Sequence, residues 1–342
     1  MPAVRNVKST MKAIIPVAGA GTKLRPHTYT QPKALIPLAG KSILSIIVEQ
    51  LVEAGINDFI FIIGYLGDKI QDYIRQNYPD LSATFVVQNE RKGIGHAILL
   101  TRDIVKNDEV FIVLGDSICE YDVKEVLNND SSMLGVKKVD DPRNFGVAET
   151  DDNGITTRVV EKPQIPKSNL ALVGVYKIKE SETLFKCLEL NIRAGVTCLG
   201  EYSLTDALEC MIRQGARLQT FKVQNWFDAG KKDSLLASNA TLLKKLGGNI
   251  PDGSQFENTI IVPPVSIAAG CEIKNSIIGP NVTIGEHATI HSSIIKDSII
   301  GSYADLYDIV LTQSLIGSDT EVKGESRSLN IGDNTEITLG KQ

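Results

Sequence analysis

Beyond residue 258 the aliphatic side chains fall six residues apart: Ile261, Ile267 and Ile273, then Ile278, Ile284 and Ile290, and later Ile316 with Val322 and Ile331 with Ile337. An Ile-Gly pair returns at 278–279, 284–285, 300–301, 316–317 and 331–332. An amphipathic helix would repeat at about 3.6 and a half-buried strand at about 2, so neither explains this spacing. Hexapeptide repeats, each laying one side of a parallel β-helix, do explain it. The pattern predicts a β-helix over 259–342, with the irregular stretches 303–314 and 323–330 projecting as loops. Stacked coils leave apolar ends that must be capped or paired, so self-association through the β-helix, a homo-oligomer, is expected.

A chain of 342 residues exceeds the usual span of one core, and a second domain upstream follows. Residues 12 to about 115 alternate strand and helix: strands near 12–18, 58–64, 83–88 and 108–115, helices near 42–54, 68–76 and 94–104. Apolar runs such as Phe59-Ile60-Phe61-Ile62-Ile63 suit a parallel sheet covered on both faces. From about 133 to 178 the chain turns to hairpin-like strands around Asp151-Asp152-Asn153-Gly154, with helices again at about 180–191, 203–214 and 231–245. The segmentation predicted is an extension at 1–10, since Met11 reads as a second possible start, a first domain over 11–245, and a linker over 246–258 around Gly247-Gly248-Asn249-Ile250-Pro251.

The balance of 36 Lys+Arg against 41 Asp+Glu, a formal net charge of −5, argues against nucleic acid or an acidic membrane as partner. Cys119, Cys187, Cys198, Cys210 and Cys271 are odd in number, scattered and without a Cys-x-x-Cys, and read as reduced, mostly buried thiols. No apolar run reaches the ~20 residues of a membrane span. With no cleavage-type signal ahead of the first strand, the cytoplasm is the expected compartment.

Chemistry concentrates at the ends of the first domain's strands. The run Ile14-Ile15-Pro16-Val17-Ala18 empties into Gly19-Ala20-Gly21-Thr22-Lys23-Leu24-Arg25, with Lys33 after Pro32. Glycine turns beside three cations make a nest for polyphosphate. The order Gly-Thr-Lys is not the Walker order, and no dinucleotide fingerprint follows the strand. Asp116 ends another apolar strand, and Asp228 in Trp226-Phe227-Asp228-Ala229-Gly230 has a similar setting; strand-end carboxylates beside phosphate suit Mg²⁺. For Asp228 a helix N-cap is an equal reading. Glu161-Lys162-Pro163 places an acid beside a base, apt for sugar hydroxyls and a phosphate, or a simple surface ion pair. Gln88 ends a strand before Gly93-Ile94-Gly95-His96, where an amide can read a base edge or cap a loop; His96 reads as structural.

Together these residues resemble the sugar-1-phosphate nucleotidylyltransferases. The likeness runs over about residues 11–245: Gly19-Ala20-Gly21-Thr22-Lys23-Leu24, Pro32-Lys33, Gly115-Asp116, Gly146-Val147, Glu161-Lys162-Pro163, Gly174-Val175-Tyr176, Leu204-Thr205-Asp206-Ala207 and Trp226-Phe227-Asp228-Ala229-Gly230. Three segments, Pro16-Val17-Ala18-Gly19, Lys92-Gly93-Ile94-Gly95-His96-Ala97 and Pro166-Lys167-Ser168-Asn169-Leu170-Ala171, are most similar to bacterial UDP-glucose pyrophosphorylases. The hexapeptide tail is more similar to long-form thymidylyltransferases and mannose-1-phosphate guanylyltransferases.

The resemblance implies an α/β fold, a Rossmann-like mixed-sheet nucleotidyltransferase domain followed by a left-handed parallel β-helix. It implies transfer of a nucleotidyl group from an NTP, UTP or dTTP favoured, to a hexose-1-phosphate, glucose-1-phosphate favoured, with GTP and mannose-1-phosphate as the alternative pair. By the same resemblance Mg²⁺ sits on Asp116 and Asp228. Lys23 and Lys33 serve the phosphates, and Lys162 orients the attacking phosphate. Ala18, Gly19, Gly21, Thr22, Gln88 and Gly93 hold the nucleotide, while Gly146, Glu161 and Tyr176 hold the sugar. The family usually has arginine where Lys23 stands, and an ammonium cannot give the two-pronged contact of a guanidinium. Two rival readings stay open: a non-catalytic nucleotide-sugar sensor, and an acyltransferase in the β-helix using His287 or His291.

Overall fold

Ala13, Ile14 and Ile15 are wholly buried in strand β1 (Lys12–Pro16), which runs at the centre of the first unit's sheet. The computed structural model describes residues 11–252, 256–325 and 331; it divides the chain into two compact units, Met1–Ser238 and Asn239–Gln342. The expected extension at 1–10, Ile337 and residues 326–330 lie outside the described residues. No described helix is long and apolar enough to cross a membrane.

After β1 come a short pair, β2 (Pro37–Leu38) and β3 (Lys41–Ser42), then helix α1 (Ile43–Glu53), β4 (Asp58–Ile63), α2 (Gly67–Asn77) and β5 (Ser82–Val87). Ser42 caps α1 by accepting the Ser45 N–H at 2.9 Å, one of the orphan donors every helix start leaves. The helix expected over 94–104 is two pieces, α3 (Ile94–Leu99) and α4 (Arg102–Val105). The Thr101 hydroxyl donates to Ile98 O at 2.7 Å and competes with the ladder there. Then follow β6 (Val110–Val113), β7 (Ser117–Glu120), α5 (Val123–Asn128), β8 (Ser132–Lys138), β9 (Gly146–Thr150), β10 (Thr156–Glu161), β11 (Leu170–Ile178), α6 (Ser181–Arg193), α7 (Leu204–Arg213), β12 (Leu218–Lys222), β13 (Asn225–Asp228) and α8 (Lys232–Leu246).

The nine-stranded sheet has the order β10-β9-β11-β6-β1-β4-β5, with β8 on β11 and β12 on β8. β6, β1, β4 and β5 are parallel, while β11 runs antiparallel to β6, β8 and β9, so the sheet is mixed as expected. The chain leaves β1 for β4 on one side and returns to β6 on the other. Such a reversal of strand order opens a crevice beyond the carboxyl ends of β1 and β6. The core beneath is closed by Phe59, Phe61, Phe111 and Phe185, all under 2 % exposed, each contributing ~2 kcal/mol through burial.

In the second unit three four-stranded parallel sheets form the sides of the expected left-handed β-helix. Ile261 stacks on Ile278, then Ile295 and Leu311; Ile267 on Ile284, Ile300 and Ile316; Ile273 on Ile290, Leu306 and Val322. The stretch 303–314 does not project. Leu306 stacks on Ile290 and Leu311 on Ile295, five apart like Ile290 and Ile295 themselves, and leucine in place of the recurring isoleucine disguised them. Corners turn on residues with left-handed backbones in vertical rows, Asn258, Asn275, Ser292 and Asp308 in one, Gly270, His287, Tyr303 and Asp319 in another. His287 stacks on Tyr303 with centroids 5.1 Å apart, and His291 packs on Tyr307 at 5.4 Å. Both histidines thus belong to aromatic rows of the solenoid. The segment expected as a linker also joins the coils: Asn249 bridges Ser266 and Glu257 bridges Lys274.

Candidate active site

Two neighbouring cavities open beyond the ends of β1 and β6. The first, about 400 Å³, is lined by the β1 loop from Pro16 to Thr22, by Lys33, Gln88, Arg91 and Gly93, and by Leu114, Gly115 and Asp116. The second, about 260 Å³, is lined by Gly146, Glu161, Lys162, Gly174, Tyr176, Cys198 and Thr205. Asp116 and Glu201 line both.

Close backbone approach shapes the shared floor. Gly115 N–H donates to Pro16 O at 3.2 Å, and a Cβ at Gly115 would lie 2.3 Å from Val17 Cγ1. Leu114 N–H donates to Gly174 O at 2.9 Å, where Gly174 (φ 84) sits in an irregularity of β11. Only glycine meets both demands. Gly21 (φ 60) turns the β1 loop, and its carbonyl accepts the Thr28 hydroxyl at 2.8 Å.

Asp116 accepts an ion pair from Lys33, Nζ to Oδ2 2.6 Å, and its side chain is 45 % exposed toward the cavities. β13 pairs with β7 in a register that sets Asp228 opposite Ser117, beside Asp116 in sequence. A hard, half-exposed carboxylate already facing a cation fits Mg²⁺, which takes one or two carboxylates and completes its shell with phosphate oxygens and water. No group of three or more His, Cys, Asp or Glu that could hold a metal occurs among the described residues.

Gln88 is buried, and its amide nitrogen donates to Gly93 O at 3.1 Å and meets His96 Nδ1 at 3.2 Å. His96, read as structural from sequence, touches a candidate base reader. Burial, then Lys92, holds the His96 imidazole below its ordinary pKa, so it is neutral at pH 7. In the second cavity the Thr205 hydroxyl donates to Glu161 Oε2 at 2.6 Å, and Lys162 Nζ stands 3.8 Å from Glu161 Oε1. Lys162 has a left-handed backbone (φ 44) and its N–H donates to Phe145 O at 3.0 Å. Burial, reinforced by Glu161, raises the Tyr176 phenol pKa, leaving it neutral.

Of the residues singled out from sequence, Ala18, Gly19, Gly21, Thr22, Lys33, Gln88, Gly93 and Asp116 come together in the first cavity. Gly146, Glu161, Lys162 and Tyr176 join Asp116 in the second. Lys23 is exposed in the turn Thr22–Leu24 and is not among the lining residues; Arg25 is drawn off over the Tyr29 ring at 4.8 Å. Sequence reasoning missed Arg91 and Glu201, which stand in loops without a motif. Thr205 lay inside a matched motif without a role.

The profile of the nucleotidyl transferase family matches residues 12–245. The chain belongs to this family. Residues 237–304 match the GlmU-like C-terminal hexapeptide family. Among the nucleotidyl transferases it is similar to the bifunctional protein GlmU of Methanocaldococcus jannaschii, 39% identical over 314 residues, 92% of this chain and 72% of that one. It is 29% identical to the glucose-1-phosphate thymidylyltransferase of Streptomyces antibioticus over 96% of this chain and 94% of the relative. The solved UDP-glucose pyrophosphorylase in complex with UDP-glucose superposes with a TM-score of 0.60 at 26% identity, covering 69% of this chain and 99% of that one. The chain is therefore an enzyme of nucleotidyl transfer, as the sequence motifs implied.

Proposed function

We propose that this nucleotidyl transferase joins UTP or dTTP to a hexose-1-phosphate, glucose-1-phosphate favoured, releasing pyrophosphate and a nucleotide sugar. The observation that carries the reading is the pair of cavities meeting at Asp116, one sized and lined for a nucleotide, the other for a sugar phosphate. The bound Gln88 nitrogen leaves its carbonyl to face a ligand. That acceptor matches the N3–H of uracil or thymine and opposes the N3 lone pair of cytosine. Relatives named for thymidylyl and UDP-glucose chemistry agree with it.

A phosphate oxygen of the sugar phosphate attacks the α-phosphorus of the NTP. The bond from that phosphorus to the β-bridging oxygen breaks, and pyrophosphate leaves with the electron pair. No covalent enzyme intermediate is required, so the protein acts by positioning and charge neutralisation. In this reading Lys162 aims the sugar phosphate, and Glu161, held by Thr205, accepts sugar hydroxyls. Gly146 leaves room against Leu172 and Thr205; Tyr176 closes the sugar cavity. Lys33, with Lys23 at the loop, offsets phosphate charge. Asp116 and Asp228 are the residues that would hold Mg²⁺, which would supply positive charge to offset the phosphates. The β-helix serves self-association.

The deciding experiment measures pyrophosphate release over a grid of NTPs and hexose-1-phosphates with Mg²⁺. Turnover with UTP or dTTP and glucose-1-phosphate is expected; a preference for GTP with mannose-1-phosphate, or no turnover on any pair, overturns the proposal.

A further inference from the structure

We infer that His96 is the residue that makes Gln88 a one-way reader of the base, so that the pair rather than the amide alone sets base selectivity. The inference rests on the proposed reading of the first cavity.

A glutamine amide is ambiguous, presenting an acceptor at one end and two N–H donors at the other. Such a side chain welcomes either an imide N–H or a ring lone pair, by turning over. Gln88 is 8 % exposed and lines the first cavity, so an N–H left unpaired there would cost desolvation. Its two N–H groups have two acceptors. Gly93 O, 3.1 Å from Nε2, is fixed by the backbone of a residue at φ 99, and a carbonyl can only accept. His96 Nδ1, 3.2 Å from the same nitrogen, accepts when the ring proton is on Nε2.

With both N–H groups engaged, no donor remains for a ligand. Gln88 then offers its carbonyl alone. With only the Gly93 contact, the second N–H would be free to swing toward a base and accommodate a ring lone pair. His96 thus works by excluding the wrong hydrogen bond, which is how a site discriminates between two isosteric bases. α3 rigidly holds His96: Gly95 N–H donates to Tyr202 O at 2.8 Å, and a Cβ at Gly95 would lie 2.9 Å from Ser203 O.

His96 touches no reacting atom in this reading, so it is a positioning residue. The test compares kcat/KM for UTP with that for CTP, at fixed glucose-1-phosphate, in the whole chain and in His96→Phe, His96→Asn and Gln88→Ala. Phenylalanine keeps ring volume and removes the acceptor, whereas asparagine can place Oδ1 where Nδ1 stood. The expected result is a fall of about tenfold in the UTP:CTP ratio for His96→Phe, carried chiefly by a lower KM for CTP with kcat for UTP nearly unchanged. His96→Asn should restore the ratio to within about threefold. Loss of kcat for both nucleotides alike, or an unchanged ratio in His96→Phe, overturns the inference. Gln88→Ala separates the two levels: an unchanged ratio there means that Gln88 does not read the base, and the reading of the cavity fails instead.

Discussion

Lys33 Nζ lies 2.6 Å from Asp116 Oδ2, an ion pair joining the loop after β1 to the end of β6. It places a cation at the shared floor of both cavities, one that under the proposed function must share its partner when a metal-bound nucleotide enters. The carboxylate is 45 % exposed, and a pair so open contributes at most ~1 kcal/mol to stability. Asp116→Ala should therefore melt within a few degrees of the parent while pyrophosphate release falls by about a thousandfold. Retained turnover would remove Asp116 from the chemistry.

Lys162 makes a different demand. Its backbone is fixed by the hydrogen bond to Phe145 O and its side chain lines the second cavity, proposed to take the sugar phosphate, beside Glu161. Lys162→Ala should raise KM for the sugar phosphate by at least about tenfold and lower kcat, with KM for the nucleotide unchanged. An effect confined to the nucleotide would assign Lys162 to the other substrate.

Sequence alone located the glycine loop, Asp116, Glu161 and Lys162 because each sits at a strand end, where apolar patterning stops abruptly. Residues whose partners are distant in sequence were hidden. The Lys33–Asp116 pair spans β1 to β6, and Thr205 reaches Glu161 from α7. Glu201 and Arg91 lie on loops with no periodicity. In the solenoid the six-residue spacing was legible where isoleucine recurs and was missed at Leu306 and Leu311, where leucine stands in its place.

Gly115 tests how tightly the crevice is built. A Cβ there would lie 2.3 Å from Val17 Cγ1 and 2.8 Å from Pro16 O, and the carbonyl cannot withdraw without breaking β1 pairing. Gly115→Ala should destabilise the chain by about 2 kcal/mol, typical of overpacking. Because the strain displaces Asp116, turnover should fall more than stability does. Denaturant melts alongside initial rates will check both.

Burial pushes the Cys119 thiol up to about 12 from 9.0. The unfolded chain ionises first, so it binds fewer protons than the native state between those values. Stability is then fully present below pH 9 and falls as pH rises toward 12. Cys119→Ser replaces the thiol with a hydroxyl that does not ionise in this range, so the slope of unfolding free energy against pH between 9 and 11 should become shallower. Native Cys119 should also resist alkylation at pH 8, as measured by mass spectrometry.

The corners of the β-helix make the last test. Asn275 has φ 51 and accepts at Oδ1 from Asn258 Nδ2 at 3.2 Å, while its N–H donates to Glu257 O at 2.9 Å. Asparagine tolerates this left-handed backbone because its short amide compensates locally, whereas alanine pays ~1 kcal/mol or more for its Cβ. Glycine enters the region freely but forfeits the side-chain bond. Asn275→Ala should therefore lower protection of the Asn275 and Ser292 amides by about fivefold or more in hydrogen exchange, and Asn275→Gly should stay within about twofold of the parent. If the two variants lose protection equally, the Asn258–Asn275 side-chain bond rather than the backbone conformation governs the corner.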